Sequence, residues 1–88
     1  MAKPTLAEEV DGYLDHLATE RGLSRNSLEA YALDLRRFLA AMHESRRRVA
    51  AVVERSDLVS FLEGLEAEGL AASSRARCLS AVRGFFSS

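Results

Sequence analysis

Apolar residues recur along this chain at intervals of three and four, which is the spacing of helices that each bury one face. Leu6, Val10, Tyr13, Leu14 and Leu17 form a first stripe, and Leu28, Tyr31, Ala32, Leu35, Phe38, Leu39 and Met42 a longer second one. Leu58, Phe61, Leu62 and Leu65 form a short third stripe, and Cys78, Leu79, Val82, Phe85 and Phe86 a fourth. No stretch carries a strand signal, and there are no repeats. The pattern predicts an all-α domain of four helices, over about Leu6 to Glu20, Arg25 to His43, Asp57 to Glu68 and Ala72 to Phe86.

Punctuation supports these bounds. Thr5 and Glu8 have the spacing of a capping box at the start of the first helix. Gly22 suits the left-handed residue that closes a helix, and Ser24 suits the N-cap of the next. Leu23 and Leu28 stand at the N′ and N4 positions of a hydrophobic staple. Arg25, Asn26 and Ser27 are thereby lifted to the positively polarised start of the second helix, where phosphates bind readily. Ser56 is the expected cap of the third helix and Gly69 its expected C′ residue. Glu44 to Val53, with the Arg46-Arg47-Arg48 run and a valine-rich stretch, reads as a connector whose valines tuck against the core.

Faces opposite the stripes are informative. On the second helix that face carries Asn26, Ala30, Leu33, Arg37 and Ala41, with Arg36 on one flank and Ser27 and Asp34 on the other. Leu33 is a large apolar residue on a face expected to be wet. On the fourth helix the outer face shows Ser73, Arg77, Ser80 and Gly84, with Arg83 at its margin. Small residues around an arginine let a backbone approach something closely. Arg75 falls on the apolar side, so it either snorkels outward or contacts a partner.

Eighty-eight residues make one domain, and an apolar share of 48% is enough for a core without staples. The single cysteine, Cys78, excludes an internal disulfide and suits a reducing, cytoplasmic setting. No apolar run is long enough to cross a membrane. The net charge of −1 conceals a segregation. Residues 1–20 sum to −4 and residues 21–48, with seven arginines, to +4. Residues 49–69 sum to −4, and residues 70–88, with Arg75, Arg77 and Arg83 and no acid, to +3. Because exposed charges are screened over about 10 Å at 0.1 M salt, these local sums matter more than the total. If the second and fourth segments share a face, that face is basic.

Catalytic signatures are missing. There is no Gly-rich phosphate loop, no G-x-S-x-G and no C-x-x-C, and His16 and His43 have no companions at metal-ligand spacing. Cys78 reads as a small core residue, and Tyr13 and Tyr31 lie on core stripes. No cofactor or metal is expected.

Two blocks of residues resemble a known family. The first is Tyr13-Leu14 through Glu20-Arg21-Gly22-Leu23-Ser24, Asn26-Ser27-Leu28, Ala30-Tyr31 and Asp34-Leu35-Arg36-Arg37-Phe38. The second is Leu58, Phe61-Leu62, Leu65, Gly69-Leu70, Arg77, Leu79-Ser80-Ala81-Val82-Arg83 and Phe85-Phe86. Together they resemble the N-terminal SAM-like, or core-binding, domain of tyrosine recombinases of the Xer and phage-integrase type. The resemblance covers residues 6–86 and implies a compact SAM-like orthogonal bundle. It departs from the family pattern at Ala32-Leu33, where basic or polar residues are frequent. It departs again at Ala71, a frequent serine cap for which Ser73 or Ser74 would substitute, and at Glu54, a frequent threonine or serine cap.

The resemblance implies one half of a DNA clamp, with the second and fourth helices facing the major groove of double-stranded DNA. Arg25, Asn26, Ser27 and Arg37 on the second helix, and Ser73, Arg77, Ser80 and Arg83 on the fourth, are the expected DNA-binding residues. The family's catalytic residues belong to a C-terminal domain absent from this chain, which therefore reads as an excised or truncated single domain and not itself an enzyme. That catalytic domain and sister recombinase subunits are the other implied partners. The alternative reading is a helical protein-interaction module that docks through Leu33 and the acidic helices.

Overall fold

A computed structural model describes residues 4–47 and 50–87. Four helices follow in order: α1 (Leu6–Thr19), α2 (Arg25–Glu44), α3 (Arg55–Ala67) and α4 (Ala72–Ser87), with a 3-10 turn at Ala50–Val52 before α3. No strand occurs among the described residues. The molecule is a slab of 35 × 34 × 17 Å, whose thin dimension accommodates two helix layers. The longest helix, α2, is its axis: α1, α3 and α4 all pack on it, and the α2–α4 contact is the most extensive.

The stripes meet as the periodicity predicts. Leu6 and Val10 of α1, Leu35, Phe38 and Met42 of α2, Phe61 and Leu65 of α3, and Cys78, Ala81, Val82 and Phe85 of α4 form one buried cluster. Phe38 sits at its centre, with the Phe61 ring edge-on at 5.6 Å and the Phe86 ring edge-on at 6.0 Å. Phe86 itself is 41% exposed, so it caps the core rather than filling it.

Each corner has its own local chemistry. Thr5 Oγ1 accepts from the Glu8 N–H and starts α1, which ends at Thr19, one residue short of the expectation. Gly22 takes φ +60°, and past it the Leu23 N–H donates back to the Leu17 carbonyl. Ser24 Oγ then accepts from the Ser27 N–H at 3.2 Å, so the expected cap of α2 forms. At the other end of α2, Arg46 is the left-handed residue of a Schellman turn. The Arg47 N–H donates to the Met42 carbonyl and the Arg46 N–H to the His43 carbonyl. Gly69 closes α3 in the same way, through Leu70 to Leu65 and Gly69 to Glu66.

Three expectations are corrected. Ser56 does not cap α3; the helix begins two residues earlier, with Glu54 as N-cap. The Asp57 carboxylate accepts the Glu54 N–H at 2.8 Å and pairs with Arg47 Nε at 3.2 Å, which ties the start of α3 to the end of α2. Gly84 faces inward: the close approach its missing side chain permits is that of Tyr13 from α1. Asp34, placed by the helical wheel at the edge of the wet face, is completely buried.

Other details settle open points. Arg75 turns back and donates from Nη1 to the Leu70 carbonyl at 2.6 Å, satisfying an acceptor in the α3–α4 corner. Neither Ser73 nor Ser74 makes a capping bond to α4. In the connector, Ala50 and Val53 pack on the core while Val52 is 42% exposed. Arg48 and Val49 of that stretch lie outside the described residues.

Candidate nucleic-acid interface

Helices α2 and α4, each part of one basic segment, become neighbours by packing along one another, and their junction is built around Asp34. A carboxylate with no exposure to water is tolerated only when its oxygens are filled by donors. Arg77 of α4 supplies two, Nε to Oδ2 at 2.8 Å and Nη2 to Oδ1 at 3.0 Å, and the Cys78 thiol donates to Oδ1 at 3.0 Å. The bidentate pair raises the Arg77 pKa, through the hydrogen bond first and the Asp34 charge second. Burial, followed by the Asp34 bond and charge, pushes the Cys78 thiol up to about 11, with Arg37 opposing. The thiol is therefore neutral at physiological pH, and it fills a packing position beside the ion pair.

The expected site residues divide into groups. Arg25, Asn26 and Ser27 are exposed at the start of α2. Ser27 is occupied locally, its hydroxyl accepting from Ser24 Oγ at 3.0 Å. Arg25 pairs with Glu29 at 3.3 Å, but with side chains 90% and 67% exposed the pair is weak and easily exchanged for another anion. Arg37 is half-buried and close enough to Cys78 to act on its titration. On α4, Ser73, Ser80 and Arg83 are exposed, while Arg77 keeps 39% of its side chain exposed despite the Asp34 pair.

Ser80 lies in a cleft of about 100 Å³ with Tyr13, Leu17, Arg21, Leu23, Tyr31, Ala81 and Gly84, where the α1–α2 corner meets α4. Arg77 and Cys78 are joined through Asp34. No hydrogen bond or ion pair among the described residues connects Arg25 or Asn26 with Ser73 or Arg83. Arg21, Tyr31 and Asp34 were not among the expected site residues. Arg21 and Tyr31 share the Ser80 cleft, and Asp34 holds Arg77. Their signal in the sequence was faint: an arginine in a corner, a tyrosine on a core stripe and one acid within a basic segment. Among the described residues no group of His, Cys, Asp and Glu could hold a metal ion, and no helix is long and apolar enough to cross a membrane.

Comparison with known families decides what this arrangement belongs to. The model of the phage integrase N-terminal SAM-like domain matches residues 10–88. The chain belongs to that family. Its all-α, four-helix architecture is the SAM-like fold of the phage integrase N-terminal domain, as the resemblance implied.

Among its relatives is the tyrosine recombinase XerD of Mycobacterium tuberculosis, 41% identical over 87 residues, which cover 91% of this chain and 28% of that protein. The tyrosine recombinase XerC of Roseiflexus castenholzii is 39% identical over 79 residues, covering 90% of this chain and 25% of that protein. XerD of Listeria monocytogenes is 38% identical over 78 residues, covering 88% of this chain and 26% of that protein. The SAM-like chain thus spans about a quarter of the length of these relatives. No solved structure matches it.

Proposed function

We propose that this SAM-like domain is the DNA-binding half-clamp of a site-specific tyrosine recombinase. It would hold a recombination site in double-stranded DNA for a separate catalytic domain. The observation that carries this reading is the packing of α2 on α4, which brings together the helix that carries Arg25, Arg36 and Arg37 and the helix that carries Arg75, Arg77 and Arg83. Arg25 and Asn26 at the start of α2, with Arg37, Ser73, Ser80 and Arg83, supply donors for phosphates and base edges in the major groove. Ser27 adds a hydroxyl beside them. The strand-exchange chemistry belongs to the catalytic domain of the parent protein, with sister recombinase subunits as further partners in the cytoplasm.

Titration of the ¹⁵N-labelled chain with duplex DNA tests this. Shifts should cluster on residues 24–37 and 73–84. Affinity should fall with salt at a log–log slope of about −0.9 per phosphate neutralised. Affinity for duplex DNA that does not change with salt would count against it. A second reading, docking to a protein partner, is favoured by Leu33, which is 44% exposed beside this face. In that case DNA leaves the spectrum unmoved, and concentration-dependent shifts appear around Leu33.

A further inference from the structure

We propose that Arg77 reads a guanine edge and that the buried Asp34 is the residue that positions it. The inference deepens the DNA-binding reading and rests on it. A guanidinium has five N–H donors in one plane. Asp34 takes the Nε–H and one Nη2–H, at 2.8 and 3.0 Å, so it grips the side edge of the group. The three remaining N–H bonds have no partner among the described residues, and the side chain is 39% exposed. They include the end fork, one N–H from each terminal nitrogen, which matches O6 and N7 of guanine in the major groove.

Two features separate this from a phosphate contact. The first is charge: a carboxylate at hydrogen-bond distance cancels most of the field with which Arg77 would attract a phosphate. Arg25 differs, since its Glu29 partner is 67% exposed and screened by water. The second is rigidity. Asp34 has no exposure and takes a third bond from the Cys78 thiol, so neither its carboxylate nor the guanidinium it grips can swing. A phosphate, with oxygens on every side, does not need a donor held in this way. A flat base edge does, and a well-made bidentate contact to it discriminates roughly 5- to 150-fold.

The test is selection from a library of duplexes with a randomised core, bound by this 88-residue chain at low salt and sequenced. The unmodified chain should enrich guanine at one position. Arg77→Lys keeps the charge but lacks the fork, and in a variant shown by circular dichroism to be folded it should lose that enrichment. Asp34→Asn should also lose it, and should steepen the salt slope by up to about 0.9 as Arg77 is released toward a phosphate. Replacing the enriched guanine by 7-deazaguanine should weaken binding of the unmodified chain roughly 3- to 10-fold, which needs no variant to fold.

Guanine enrichment that survives Arg77→Lys overturns the proposal, as does binding with no enriched guanine. Enrichment lost in Arg77→Lys but intact in folded Asp34→Asn overturns the role of Asp34. If circular dichroism shows Asp34→Asn unfolded, Asp34→Glu decides instead: a retained guanine preference supports positioning by the carboxylate, and its complete loss in the folded variant refutes it. If the unmodified chain does not bind duplex DNA at all, the DNA-binding reading itself fails.

Discussion

The Tyr13 hydroxyl occupies the space where a side chain on Gly84 would begin: a Cβ at Gly84 would fall 2.5 Å from it and 3.6 Å from the ring carbon that carries it. The ring has little freedom to yield. Phe85 stands edge-on to it at 5.8 Å and His16 stacks at 6.5 Å. Glycine inside α4 is therefore the condition under which α1 lies close to α4.

This contact predicts a sign reversal. Gly84→Ala brings about 1 kcal/mol of helix propensity but forces the clash, which costs about 1–3 kcal/mol, so the net effect is destabilising. Tyr13→Phe removes the atom at 2.5 Å and leaves only the ordinary contact. In that background Gly84→Ala should stabilise, by about 0.5–1 kcal/mol. Urea unfolding of the four members of the cycle measures the coupling, and additivity would show that the two residues do not touch.

Arg46 holds φ +60° at the C′ position of α2 without being glycine. Its side chain is exposed and no partner compensates the strain of the left-handed backbone. Arg46→Gly is expected to stabilise the domain by about 0.5–1 kcal/mol, seen as a higher urea midpoint at unchanged slope. An unchanged or lower midpoint would mean that glycine's extra freedom in the unfolded chain outweighs the relieved strain.

Helix existence, the shared core and the Gly22-Leu23-Ser24 corner were legible in the sequence because they follow from local rules: period, cap and glycine. What one helix at a time cannot reveal is which flank of it a neighbour covers. Asp34 lies at the margin of the wet face of α2 by its own wheel, yet α4 crosses that margin and supplies Arg77 and Cys78. Gly84 reads as a site of approach from outside, and the approach is internal, from a residue 71 positions earlier in the chain. Phe86 continues the α4 stripe by period but lies in its last turn, where 41% of it remains exposed. Among the candidate DNA contacts the residue types were legible, but the pinning of Arg77 was not, because it depends on that same crossing.

Asp57 joins two elements through one carboxylate, accepting from the Glu54 N–H and from Arg47 Nε. Asp57→Ala should cost about 1–2 kcal/mol, most of it from the lost cap. Arg47 is about a third exposed and can exchange its partner for water, so its share is small. Asp57→Asn keeps an acceptor for the Glu54 N–H and should recover most of the loss in thermal unfolding. If Asp57→Asn is as damaging as Asp57→Ala, the ion pair to Arg47 carries the stability instead.

The raised pKa of Cys78 makes stability depend on alkaline pH with a definite sign. The folded thiol titrates at about 11 against an ordinary 9.0, first because burial disfavours the thiolate, and then because Asp34 accepts the thiol's hydrogen bond and would lie beside the second negative charge. The folded state therefore holds this proton more tightly than the unfolded chain does. Its contribution to stability is complete below pH 9 and is lost as pH rises through 11, by about 1.4 kcal/mol for each unit of difference. Cys78→Ala lacks the titrating group, so the difference in unfolding free energy between the two proteins should narrow across pH 9–11. At pH 8, alkylation of Cys78 by iodoacetamide should be slow in the folded protein and accelerate with urea in step with unfolding. Fast alkylation of the folded domain at pH 8, with no alkaline loss of stability relative to Cys78→Ala, would show that the thiol is neither buried nor bound to Asp34.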